Sequence, residues 1–228
     1  MIEASYLATT RTAYDTVAVN YAEQQNAALD DRPLDRAMLV GFAQLVLGPD
    51  GDPDARAVAD LGCGPGHVTA HLRSLGLTAR GIDLSPAMVA VARAAHPDLR
   101  FDEGSMTALD LPDGVLGGIL ARYSIIHTPP EQLPVVFAEF HRVLALGGHV
   151  LLAFQVGDER VHVQKGYGHD VSLDAYRLSP DTVVELLERA GFEMVARLLC
   201  EREENEKTPQ AHLIARKPGA SGRTTVMS

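Results

Sequence analysis

The chain has 228 residues, 46% of them apolar, enough for one sizeable α/β domain whose sheet is buried on both faces. A formal charge of −10 without any Lys/Arg-rich run argues against a phosphate backbone as partner, so nucleic acid is excluded as the expected substrate. Cys63 and Cys200 are too few and too far apart for a disulfide framework or a zinc site, and no metal is expected.

The first residues, Met1-Ile2-Glu3-Ala4-Ser5-Tyr6, lack the basic and apolar regions of a secretory signal. No apolar run approaches the roughly 20 residues that span a bilayer. A cytoplasmic protein with no membrane partner is therefore expected. Residues 12–29 and 34–47 read as two helices joined by Asp30-Asp31-Arg32-Pro33, making 1–47 a helical leader. The turn-rich stretch 48–54 closes it.

From 55 to 217 short apolar runs alternate with helical patterns, the rhythm of a βαβ chain. Strands are expected at 57–61, 79–82, 99–102, 116–121 and 149–154, and helices at 67–75, 86–95 and 129–143. Ser85-Pro86, Thr128-Pro129 and Ser179-Pro180 each set a hydroxyl N-cap before a proline at the first helical position. Thr128 and Glu131 also have capping-box spacing. Gly76, Gly147-Gly148 and Gly191 suit left-handed helix ends. Residues 157–178 break the rhythm as a polar stretch, and a helix follows at 180–190. Runs 192–199 and 211–215, separated by charged 201–207, read as an antiparallel pair closing the sheet, and 218–228 reads as a disordered tail.

Asp60-Leu61-Gly62-Cys63-Gly64-Pro65-Gly66 falls between the first strand and the next helix, at the sheet edge where open α/β folds bind ligands. Glycines there let the backbone approach a ligand closely, and the helix offers its positive end to an anion. A dinucleotide fingerprint needs a third glycine at position 67, which is His67. That disfavours a nicotinamide-dependent oxidoreductase. Asp83 ends the second strand, where a carboxylate can take both hydroxyls of a ribose. The competing interpretation of Gly62, Gly64 and Gly66 is a turn without a ligand.

These residues resemble the class I methyltransferases dependent on S-adenosylmethionine. Residues 60–66 match that family's first motif and Gly81-Ile82-Asp83-Leu84-Ser85 its second. Gly104-Ser105-Met106 sits where the family holds the adenine, and the strand ending at Tyr123 is similar to its fourth. Leu144-Ala145-Leu146-Gly147-Gly148 resembles the turn before the fifth strand, with Leu146 in place of the usual proline. The resemblance runs from about Tyr14 to Lys217. It implies an α/β, Rossmann-like seven-stranded sheet in order 3-2-1-4-5-7-6, with strand 7 antiparallel and helices on both faces. It further implies S-adenosylmethionine as cofactor and S-adenosylhomocysteine as product. By position Asp60, Gly62, Cys63, Gly64 and Gly66 would hold the methionine, Asp83 the ribose, Ser105 the adenine amine and Met106 the ring face. Leu84, Met88, Gly104 and Arg122 would be further cofactor contacts. Ser105 and Met106 can equally be a loop residue and a core methionine. No base stands beside Cys63 in sequence to make it a nucleophile.

The segment from Tyr14 to Tyr21 resembles the leader helix of small-molecule members, a lid over the cofactor. Seven residues apart, the two tyrosines share a helix face, which a core stripe would also explain. His127 follows the fourth strand, at the edge where the methyl group would lie, and is a candidate base, substrate-positioning or structural residue. Tyr14 is the second candidate for catalysis. Tyr123, His162, Tyr167 and His169 are candidate acceptor contacts. The expected partner is a small acceptor, such as a secondary metabolite, methylated on N, O or C. A non-catalytic binding module is the alternative, and a homodimer is left open.

Overall fold

The computed structural model describes residues 5–25, 32–48, 57–203 and 206–219. Six α-helices and nine strands are seen there: α1 (Ser5–Gln25), α2 (Pro33–Leu47), β1 (Ala57–Leu61), α3 (His67–Ser74), β2 (Thr78–Asp83), α4 (Pro86–Ala95), β3 (Arg100–Glu103), β4 (Leu116–Arg122), α5 (Leu133–Val143), β5 (Leu144–Gln155), β6 (Arg160–Gly166), β7 (His169–Tyr176), α6 (Pro180–Arg189), β8 (Glu193–Cys200) and β9 (Gln210–Arg216). The expected tail from 220 onward lies outside the described residues.

Seven strands form one sheet in the order β3-β2-β1-β4-β5-β9-β8. Strands β1 to β5 pair in parallel, and β9 runs antiparallel to both β5 and β8. This is the Rossmann-like order expected from the motifs, with β8 and β9 as the sixth and seventh sheet strands. Alternation along β4 splits the core. Ile119 and Ala121 face α5 and α6 with Phe137, Phe140 and Leu187. Leu120 faces α2 and α3 with Leu39, Phe42, Val46 and Leu72. The leader is therefore not one unit: α2 belongs to the core, whereas α1 packs on α4 through Val17, Ala18 and Met88.

Helix α1 starts at Ser5, earlier than the expected 12, and is rich in threonine. Thr9, Thr12 and Thr16 each turn their hydroxyl back to the carbonyl four residues earlier, at 2.8–3.0 Å.

Three local expectations are corrected. Residues 157–178, expected only as a polar break in the rhythm, carry the hairpin β6–β7, a separate two-stranded sheet. Its alternating Val161, Val163, Val171 and Leu173 give the strand period, and Tyr167 and Gly168, both at positive φ, make the tight turn. Helix α5 starts at Leu133, not at Pro129. Pro130 forces Pro129 into an extended conformation (φ −53°, ψ 138°), so Thr128 caps nothing. A 3-10 turn at Pro130–Gln132 intervenes. Gly147 has positive φ, but inside β5 rather than at a helix end, because β5 already begins at Leu144. Ser85 and Ser179 do cap their helices, accepting from Met88 N–H (3.1 Å) and Thr182 N–H (3.4 Å).

Candidate active site

Strand β1 has β2 on one side and β4 on the other, so the chain leaves β1 in opposite directions and opens a crevice at the strands' carboxyl ends. An open cleft lies there. Its floor comes from the ends of β1, β2 and β4, and α1 forms its roof, with Tyr6, Leu7, Thr10, Arg11, Tyr14 and Tyr21 in the wall.

The β1–α3 loop needs glycine twice for different reasons. Gly62 has φ +71°, and a Cβ there would stand 2.4 Å from the Ser124 Cβ. The loop backbone is thereby pressed against the end of β4. Gly66 has φ +84° and would place a Cβ 2.6 Å from the Phe101 ring, so it seats α3 against β3 and α4. The loop is pinned to β2 by Gly62 N–H donating to Ile82 O (2.7 Å).

Asp83 faces this loop. One carboxylate oxygen accepts from Gly64 N–H (2.8 Å) and the other from Ser85 N–H (2.9 Å). Burial pushes its pKa up against the lowering effect of these amides. Each oxygen keeps a lone-pair direction for a further donor, and Asp83 lines the cleft, so its fixed carboxylate fits a vicinal diol. The cleft thus fits the adenosine end of S-adenosylmethionine on this chain's own geometry.

Across the cleft, the 3-10 turn Ile125–His127 presents His127. Its Nδ1 lies 2.9 Å from the Asp174 carbonyl on β7, and its Nε2 lies 2.7 Å from the Tyr14 hydroxyl. A carbonyl only accepts, so Nδ1 carries the proton. Neutral Nε2 then accepts from Tyr14, and the Tyr14 oxygen is left with its lone pairs. Burial lowers the His127 pKa and raises that of Tyr14 well above the usual phenol value, which keeps both neutral. Tyr14 and Tyr21 meet edge to face at 6.1 Å, and Tyr167 packs on Tyr21 at 4.8 Å. Tyr123, the residue just after β4, holds a positive φ of 51°, an uncommon conformation for a residue with a side chain.

Of the sequence-derived candidates, the cleft wall includes Tyr14, Tyr21, Gly62, Gly64, Asp83, Leu84, Met88, Gly104, Ser105, Met106, Arg122, Tyr123 and His127. Others stand elsewhere. Asp60 lies behind the loop, where its carboxylate accepts from the Thr69 hydroxyl (2.6 Å). Burial raises its pKa to about 6, against Thr69 and the charge of Arg122. The Cys63 side chain turns away from the cleft to pack with Val89, Ala92 and Phe101. His162 is outside the cleft wall: it sits on β6 against Asp174 (2.9 Å), which also pairs with Arg160. Tyr167 and His169 brace the roof instead, His169 through Asn20 (3.1 Å). Ser105 bonds to the Thr107 hydroxyl (2.8 Å), an arrangement the motif alone does not reveal.

Sequence reasoning missed Tyr6, Leu7, Thr10 and Arg11 in the roof. Extending the Tyr14–Tyr21 face backward by helical spacing would have found them. It also missed Asp35, the first-turn acid of α2, which pairs with Arg122 and lies 3.0 Å from His212. No local motif marks that pair, because its members are 87 residues apart.

A family profile described as a methyltransferase domain matches residues 58–148, the segment from β1 into β5 that holds the glycine loop, Asp83 and His127. Residues 58–148 are thus similar to a methyltransferase domain. Trans-aconitate 2-methyltransferase of Escherichia coli O7:K1 (strain IAI39 / ExPEC) is 43% identical over 112 residues, covering 46% of this chain and 42% of that protein. The chain thus spans less than half the length of the curated relatives it matches. Among solved structures, magnesium protoporphyrin IX methyltransferase (ChlM) from Synechocystis PCC 6803 superposes with a TM-score of 0.68 at 16% identity, over 95% of this chain and 100% of that one. The glycopeptide N-methyltransferase MtfA gives 0.58 at 19% identity, over 71% and 87%. The [4+2]-cyclase SpnF gives 0.67 at 18% identity, over 92% and 96%. These likenesses establish the fold, and a cyclase among them shows that chemistry has to be argued from the site.

Proposed function

We propose that the protein transfers the methyl group of S-adenosylmethionine to a small secondary metabolite that presents an N–H or O–H to Tyr14. The observation that carries this reading is the polarity of the Tyr14–His127 pair. The Tyr14 proton is committed to His127 Nε2, so its oxygen can only accept from a substrate. A group arriving there must be a donor.

By this reading Asp83 holds the ribose, the loop at Gly62 and Gly64 the methionine, and Leu84, Ser105 and Met106 flank the adenine. When bound, S-adenosylmethionine supplies a methyl group on a sulfonium centre whose departure needs no acid. The chain's own part is alignment, which can supply about 7–11 kcal/mol, and removal of one proton. The acceptor's X–H bond breaks toward the Tyr14 oxygen while the Tyr14 proton passes to His127 Nε2. His127 becomes an imidazolium that still donates from Nδ1 to Asp174 O. Burial disfavours that cation, so His127 gives its surplus proton to solvent water when the product leaves, and Tyr14 and His127 are again both neutral. The roof of α1 excludes water from the reacting atoms. His127 touches the substrate only through Tyr14 in this scheme.

A second reading takes its acceptor from the curated relatives' name, a tricarboxylate. The two guanidinium groups in the wall, Arg11 and Arg122, favour it. Pairing of Arg122 with Asp35 and the acceptor character of Tyr14 count against it. Incubation with methyl-labelled S-adenosylmethionine and a panel of amines, phenols, alcohols and trans-aconitate separates the two. Label in amines or hydroxyls supports the first reading, and label in trans-aconitate alone overturns it. A protein that binds S-adenosylhomocysteine yet labels nothing would be a non-catalytic module.

A further inference from the structure

We propose that Asp15 is the positioning residue that clamps α1 over the cofactor site, acting through Ser85. This inference rests on the reading of the cleft as an S-adenosylmethionine site.

The first amides of α4 have no partners within their own helix. Pro86 has no N–H to satisfy, and Ser85 caps Met88 N–H from within the chain (3.1 Å). The remaining amide, Ala87 N–H, donates to Asp15 of α1 (3.2 Å). Asp15 thus serves as a capping acid in trans, its charge placed at the positive end of a ten-residue helix. The same Asp15 oxygen accepts from the Ser85 hydroxyl (2.6 Å), and the Ser85 amide donates to Asp83 (2.9 Å).

One fully buried serine is therefore the hub of three bonds. It orients the ribose carboxylate with its amide, caps α4 with its oxygen lone pair, and holds α1 with its hydroxyl proton. Tyr14 neighbours Asp15 on α1, so the clamp also fixes the helix that carries the acceptor contact. No other acid of α1 reaches a helix end among the described residues. Docking of α1 and filling of the ribose site then stabilise each other, as reciprocal coupling requires.

The test uses the full chain and S-adenosylhomocysteine as probe, with two readouts that need no turnover. One is the dissociation rate from a chase of labelled S-adenosylhomocysteine. The other is amide hydrogen exchange over residues 5–25 with and without it. In the unmodified protein the probe should slow exchange along α1. Asp15→Ala should raise the dissociation rate about tenfold or more (about 1.4 kcal/mol), leave association nearly unchanged and remove the added protection. Asp15→Asn keeps the shape without the charge, should show a smaller rise, and stands in if the alanine variant does not fold. Thr16→Ala, on the exposed face, should change neither readout. If both Asp15 variants only lower the melting temperature while dissociation and protection stay as before, the residue is structural and the inference is overturned. Absence of binding by the unmodified protein would instead overturn the cofactor reading itself.

Discussion

The Tyr14 hydroxyl donates to His127 Nε2 across 2.7 Å, joining residues 113 positions apart, and the Asp174 carbonyl on β7 fixes which imidazole nitrogen is free to accept. Three elements that share no sequence motif thus meet in one hydrogen-bonded chain. The roof helix brings the phenol, the turn after β4 brings the imidazole, and the hairpin sets its tautomer.

Removing the phenol oxygen tests that hydrogen-bonded chain at its substrate end. Tyr14→Phe keeps the ring that packs on Tyr21 and His127 and should lower kcat about 100-fold. The Kd for S-adenosylhomocysteine should change by less than a few-fold. A variant that loses cofactor affinity but keeps kcat would make Tyr14 a cofactor contact only.

The imidazole should show in the pH profile. A base works in its neutral form, so activity falls as pH drops through the folded pKa of His127. Burial lowers that pKa, placing the acid limb below the ordinary value of about 6.5. His127→Ala should lower kcat on the order of 100-fold and abolish the limb, with an acceptor that does not itself titrate there. A limb unchanged in the variant would assign it to another group.

Asp60 predicts an opposite signature in stability. Its folded pKa, about 6, lies above the ordinary 3.8, so the folded protein favours the protonated acid. The stabilisation is complete below pH 3.8 and is lost as pH rises through about 6. Asp60→Asn mimics the protonated form and should raise stability at pH 7.5 by on the order of 2–3 kcal/mol, at about 1.4 kcal/mol per pKa unit. Paired thermal melts should show the gain shrinking toward pH 4. A variant destabilised at both pH values would mean that the Thr69 bond, not the buried charge, dominates.

The glycine loop separates strain from collision. Gly168→Ala meets open space at φ +85° and should cost about 1 kcal/mol from backbone strain. Gly62→Ala adds a clash with Ser124 at 2.4 Å and moves the loop that faces Asp83. It should lower the melting temperature further and weaken S-adenosylhomocysteine binding more than tenfold. Equal melting temperatures for the two variants would show that the loop yields freely.

The main sheet was legible in the sequence because local signals agreed with the global order. Short apolar runs, the caps at Ser85 and Ser179, and the glycine loop with Asp83 all lie within one βαβ rhythm. What was missed has physical reasons. The hairpin β6–β7 alternates valine with His162, Gln164 and Asp170, and that half-exposed polarity reads as a break in the rhythm. The start of α5 was misplaced because Thr128 and Glu131 have capping spacing, while consecutive prolines hold the backbone extended. Candidate residues next to motifs line the cleft. Those brought in by tertiary packing, Asp15 against Ser85 and Asp35 against Arg122, leave no local trace.

Calorimetric titration with S-adenosylhomocysteine and, separately, with NAD tests the central claim most directly, using the unmodified protein and Asp83→Ala. S-adenosylhomocysteine should bind the unmodified protein with micromolar Kd, and NAD should give no saturable heat. Loss of the charged acceptor in Asp83→Ala should weaken S-adenosylhomocysteine by about 1.5–3 kcal/mol while the fold survives. Tight NAD binding with none by S-adenosylhomocysteine would contradict the assignment of the cleft, and an unchanged Kd in the variant would move the ribose away from Asp83.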